Sequence, residues 1–148
     1  MKRIFFLAMI VCFISCDKVK ENPDEITLQG TRFRINNLFC LDETMENYKL
    51  TIKKDSLDVY GDFVYFSENG TFSSYYRAWC GNDCFRTVYG KYDMISETEL
   101  SAMVDSVHYA GWCTESYTDS VWTEYRGEKS IRFTISKEND GMLLILNE

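Results

Sequence analysis

Proline is almost missing from this 148-residue chain, with Pro23 alone, and histidine is as scarce, with His108 alone. With no Pro-, Gly- or Ser-rich run either, nothing resembles an interdomain linker, and a single domain is expected. The lone histidine narrows nucleophilic chemistry, since any Cys-His or Ser-His mechanism must use His108. It lies in an alternating stretch, where a packed or solvent-facing ring is the plainer reading. Basic side chains are also in deficit: 16 Lys and Arg face 23 Asp and Glu, a net charge of −7. Such a chain repels phosphate backbones, which argues against a nucleic-acid partner. No phosphate-binding glycine loop and no internal repeat occurs. Long apolar runs are lacking too, because the longest, residues 4–14, is too short for a permanent membrane-spanning helix.

What the chain does have is 45% apolar and 16% aromatic residues, enough for one real core, arranged with the period-two alternation of strands. Residues 57–92 organise the rest as a meander of three antiparallel strands. Ser67-Glu68-Asn69-Gly70 supplies an Asn-Gly hairpin signal, and Cys80-Gly81-Asn82-Asp83-Cys84 a second reversal. Asn69-Gly70-Thr71 also fits an N-linked sequon but reads here as a turn. Before the meander, residues 26–35 form a strand with Leu28, Phe33 and Ile35 inward and a bend at Gly30. Residues 38–47 are a short helix or a loop, because Leu41, Met45 and Tyr48 fall at helical spacing, and residues 48–53 are a strand. Leu57, Val59, Phe63 and Phe66 cannot share one face without a bulge, expected near Gly61. After the meander come strands at 85–94, 99–109, 121–125 and 130–136, where Ile131, Phe133 and Ile135 alternate with polar residues. The apolar run 142–146 fits a strand covered on both sides. The fold class is therefore all-β, an antiparallel barrel or sandwich of eight or nine short strands.

The amino terminus carries an address. Lys2-Arg3 and the apolar run 4–14 make an export signal, and Phe13-Ile14-Ser15-Cys16 resembles the bacterial lipobox, whose cysteine becomes the acylated terminus. The resemblance implies a signal peptide over 1–15, a lipid on Cys16, and membrane attachment by the acyl chains. The charged stretch 16–25 is then a tether, the domain spans 26–148, and the location is the bacterial cell envelope as an outer-membrane lipoprotein. Without Lys2 and Arg3, 14 basic and 23 acidic side chains remain, a net charge of −9. Outside the cytoplasm thiols tend to oxidise, leaving Cys40, Cys80, Cys84 and Cys113 as disulfide candidates. A three-residue loop would pair Cys80 with Cys84, and Cys40 would then pair with Cys113. A four-thiolate zinc site is disfavoured, because Cys40 and Cys113 have no closely spaced partner.

Gln29-Gly30-Thr31-Arg32-Phe33, the phrase Phe63-Val64-Tyr65-Phe66-Ser67-Glu68-Asn69-Gly70-Thr71-Phe72, and Gly90-Lys91-Tyr92-Asp93-Met94 with Glu99-Leu100 together resemble the lipocalin-like small lipoproteins of Gram-negative bacteria. Arg32-Phe33 stands where lipocalins usually carry a tryptophan after the glycine. The resemblance implies an up-and-down calycin-like barrel of about eight strands, with room for one small apolar ligand and no catalytic residues. Separately, Asp55-Ser56-Leu57, Asp105-Ser106-Val107 and Asp119-Ser120-Val121 resemble an O-glycosylation sequon of exported proteins in one group of anaerobic Gram-negative bacteria. It implies Ser56, Ser106 and Ser120 as acceptors.

For binding, the strongest cluster is Tyr75, Tyr76 and Trp79 with Arg77, since flat rings and a planar guanidinium suit sugars, peptides or apolar ligands. Paired carboxylates, Asp58 with Asp62 or Glu97 with Glu99, could serve as acid and base, but turns and solvated faces explain them equally. The expectation is a non-enzymatic, cofactor-free anchored barrel that binds a small apolar molecule or an envelope partner. The alternative is a filled-core module that uses its outer surface on a protein or glycan.

Overall fold

The computed structural model describes residues 26–52, 60–79, 83–113, 120–127 and 129–147. Residues 1–25, including Cys16, lie outside the described residues, as do Ser56, Leu57, Asp58, Val59 and Cys80. Every regular element is a strand: β1 Thr31–Ile35, β2 Asn47–Thr51, β3 Gly61–Phe66, β4 Thr71–Arg77, β5 Cys84–Ser96, β6 Glu99–Gly111, β7 Ser120–Tyr125, β8 Ser130–Glu138 and β9 Gly141–Leu146. All pairings are antiparallel, and the β5–β6 ladder closes eight of the strands into a barrel, with β7 as an extra strand on β6. The expected all-β antiparallel barrel of about eight strands is therefore the fold. Its order refines the meander. β2 and β3 flank β1 and run the same way, whereas a pure up-and-down order would put β2 beside β3.

Most local expectations hold. Leu28, Phe33 and Ile35 are buried, and Gly30 makes its bend with a positive φ. The β3–β4 hairpin turns at 67–70, with Ser67 N–H donating to the Thr71 carbonyl at 2.8 Å. Only Gly70 takes a positive φ there. Asn69 instead uses its side-chain oxygen, which accepts from the Thr71 N–H and hydroxyl, so the glycine alone supplies the left-handed step.

Other expectations are met only in part. The bulge expected near Gly61 involves Leu57 and Val59, which lie outside the described residues; from Gly61, at positive φ, β3 pairs with β4 without a break, and register shifts fall between Tyr89 and Gly90 and between Met94 and Ser96. At Gly90 the Phe72 ring packs directly on the strand, where a Cβ would collide with it. The run 142–146 is covered on one side only: Met142 and Leu144 are buried, while Ile145 is exposed, because a barrel wall has one wet face. Of the helix or loop expected over 38–47, the loop is found, with two i→i+3 turns in 38–45. Leu38, Phe39 and Cys40 are buried in succession, which no single helix face allows.

Those three residues fill the barrel. The Phe39 ring sits 5.0 Å from Phe72, 5.1 Å from Tyr48, 5.3 Å from Phe133 and 5.4 Å from Phe66, three of the four edge-to-face. A loop that enters a core must satisfy its backbone. Phe39 N–H donates to the Ser74 hydroxyl at 2.9 Å, which donates to the Phe63 carbonyl at 2.9 Å. Cys40 N–H donates to the Tyr48 hydroxyl at 3.1 Å, which donates to the Asp42 carbonyl at 3.2 Å.

The cysteine pairing is also corrected. The disulfide joins Cys84 to Cys113, with Cα atoms 4.5 Å apart, and Cys40 is a buried free thiol. Cys84 opposes Gly111 in the β5–β6 ladder. The positive φ of Gly111 turns the chain, and Trp112 N–H bonds the Asp83 carbonyl, so Cys113 returns to Cys84. Burial, and then the Glu43 charge, push the Cys40 thiol far above its ordinary value.

Truncating the plug measures its weight. Phe39→Ala is expected to cost about 3–5 kcal/mol in urea unfolding. Ser74→Ala, which strands a buried N–H with little loss of volume, should cost about 1–3 kcal/mol. A Phe39→Ala protein as stable as the wild type would refute the plug.

Candidate functional site

The barrel has two unlike ends. At one, the turns at 67–70, 97–98 and 139–140 gather around the chain entering at Ile26. There Ile26, Leu28, Met94, Ile135 and Met142 line a cleft of about 350 Å³, with Glu97 and Lys137 among its polar walls. At the other end lie the plug loop, the disulfide, the start of β3 and the end of β4.

The sequence-derived binding cluster belongs to this second end, but strand alternation divides it. Phe72 and Ser74 face inward, so Tyr76 does too, and its hydroxyl donates to Asp83 Oδ2 at 3.0 Å. Tyr75, Arg77 and Trp79 belong to the opposite, outer side. Tyr75 stacks on Phe63 at 5.8 Å. Phe63 is buried although it faces outward, because Tyr75 covers it and the Arg32 guanidinium lies 5.6 Å from its ring centre. Trp79 is 81% exposed, and its ring centre lies 4.7 Å from that of Tyr60. Tyr60, not among the residues expected from the sequence, completes this exposed aromatic pair. Its signal is the β3–β4 register: Gly61 opposes Arg77, which brings the preceding tyrosine beside the end of β4. The result is a two-ring shelf, Tyr60 and Trp79, at the end of β4.

Inside this rim, burial lifts the Asp62 carboxyl above the ordinary carboxylate range, while the positive charges of Arg86 and Arg34 pull it part of the way back. Further round, Tyr109 and Trp122 stack at 4.6 Å with planes 8° apart, and the Tyr109 hydroxyl donates to Glu124. Burial, and then Glu124, raise the Tyr109 pKa. Between the plug loop and the β7–β8 junction a polar cleft of about 580 Å³ includes Cys40, Glu43, Glu124 and Arg126.

The remaining candidates are dispersed. His108 is half-exposed, with Nδ1 3.2 Å from the Thr123 hydroxyl. Glu97 is exposed in the β5–β6 turn, whereas Glu99 is half-buried at the start of β6. Among the described residues, no three His, Cys, Asp or Glu side chains gather as a metal site. Ser106 lies inside the β6 ladder between Tyr89 and Tyr125, and Ser120 begins β7 opposite Gly111.

Asp62 gives a pH test. A folded-state pKa above the unfolded value means the native state binds more protons, so this group's effect on stability becomes less favourable as pH rises through the carboxylate range. Asp62→Asn should therefore melt higher than the wild type at neutral pH and lose that advantage in acid. A variant less stable at neutral pH would mean that the attraction of Arg86 and Arg34 outweighs burial.

In comparisons with known proteins, no family model matches this chain, and no curated protein or solved structure matches it significantly.

Proposed function

We propose that this chain is a lipid-anchored envelope protein that performs no chemistry and presents the Tyr60–Trp79 shelf to a glycan or protein partner. The observation that carries the reading is the filled barrel. Phe39 occupies the interior that a small ligand would need, so recognition moves to the outer surface. A tryptophan 81% exposed beside a second ring is costly to leave in water and suited to a sugar face or peptide.

Polarity along the barrel supports the same reading. The chain enters at Ile26, at the end opposite the shelf. An anchor on Cys16 followed by a charged tether would hold the shelf away from the membrane, towards other envelope molecules. The cleft between Leu28 and Met142 supports a second reading, a small apolar ligand bound outside the plugged interior.

Capture from envelope extract, followed by tryptophan-fluorescence titration with the captured glycan or protein, tests the shelf. Trp79→Ala and Tyr60→Ala should each weaken binding by about tenfold, on the scale of one lost ring contact of about 1–1.5 kcal/mol, with the melting temperature unchanged. Undiminished binding by both variants would overturn the proposal. For the anchor, radiolabelled palmitate should enter the wild type and not Cys16→Ser.

A further inference from the structure

β6 is longer than the barrel wall beside it. Residues 99–103 pair with β8, and residues 106–111 pair with β7. β7 therefore stands beyond the closed wall as a ledge on the upper half of β6. Among the described residues no strand pairs with its other edge.

An open edge normally carries some protection, such as lysine, proline or a bulge. β7 reads Ser120-Val121-Trp122-Thr123-Glu124-Tyr125, with neither lysine nor proline. Its ladder to β6 runs unbroken from Gly111↔Ser120 to Ser106↔Tyr125. Val121 and Tyr125, 69% and 84% exposed, share one face with Thr123 between them.

We propose that β7 pairs antiparallel with β7 of a second copy of this chain, about a two-fold axis at Thr123. This register is self-complementary. It sets Val121 opposite Tyr125 of the other copy, twice over, and Thr123 opposite its own equivalent; aromatic with β-branched and Thr with Thr are both favourable cross-strand pairs. On the opposite face Trp122 meets Glu124. Centring the axis on Glu124 would instead oppose two like charges. A two-fold interface requires one patch to serve both partners, which this six-residue edge does. The pairing joins the upper halves of β5, β6 and β7 from each copy into one six-stranded sheet.

The test uses the full chain purified in mild detergent. Thr123→Cys should form a disulfide-linked dimer under mild oxidation, because directly opposed residues of an antiparallel pair have Cα atoms about 4.5–5.5 Å apart, within disulfide reach. Asp93→Cys, on the exposed face of β5, and the wild type set the background. Adding Val121→Lys and Tyr125→Lys to Thr123→Cys should reduce cross-linking by about tenfold, the loss of two pairs together with new repulsion. Both lysines replace exposed side chains, and an unchanged melting temperature confirms folding. Sedimentation of the wild type should give a dimer mass that falls to a monomer in the double-lysine chain. Cross-linking of Thr123→Cys no faster than Asp93→Cys, or a wild type monomeric at every concentration, overturns the proposal. An edge reserved for an extended peptide of another protein would give that second result.

Discussion

Ser74 is the one fully buried polar side chain among the described residues, and its hydroxyl makes the barrel possible in its present form. It accepts from Phe39 N–H and donates to the Phe63 carbonyl. Without such a partner the backbone of residues 38–40 could not descend into an apolar interior, because an unpaired buried amide costs about 1–3 kcal/mol. Tyr48 does the same for Cys40 and also packs its ring on Phe39 and Phe133. Two hydroxyls thus allow an aromatic plug to replace what would otherwise be a cavity.

The plug has consequences beyond stability. An eight-stranded barrel has room for side chains or for one small ligand. Here Phe39 packs among Tyr48, Phe66, Phe72 and Phe133 in the interior, and further apolar surface lies on the outside. Phe63 shows how this is managed: it faces outward, yet Tyr75 and Arg32 bury it. Trp79 and Tyr60 pack on each other and both remain exposed.

The strands were legible in the sequence because alternation is a local signal. Ile131, Phe133 and Ile135 announce β8, and Gly70 announces the β3–β4 turn. What eluded the sequence depends on register or on distant contacts. The plug hydrogen bond spans 35 residues between Phe39 and Ser74, and nothing near Phe39 marks it as a core residue of a barrel. The disulfide follows from the opposition of Cys84 and Gly111, fixed by the long β5–β6 ladder and its bulge. Local spacing pointed instead to Cys80. The expected binding cluster is divided for a related reason: period two places Tyr75, Arg77 and Trp79 on one side and turns Tyr76 to the other. Tyr60 joins them only once β3 has paired with β4.

The fork in β6 ties the plug to the outer ledge. Asp105 is the extra residue at the register shift opposite Tyr89 and Gly90. Its carbonyl accepts from Arg126 N–H, just where β7 ends. The Arg126 side chain then divides its donors, Nε to Glu124 on β7 and a terminal nitrogen to the Leu41 carbonyl in the plug loop at 2.8 Å. Lys129 adds a contact to Glu43 in the same loop. One arginine therefore bonds both the ledge and the loop that fills the barrel. A loop displaced from the core would release its hold on Arg126, so the position of β7 and the filling of the interior are mechanically linked.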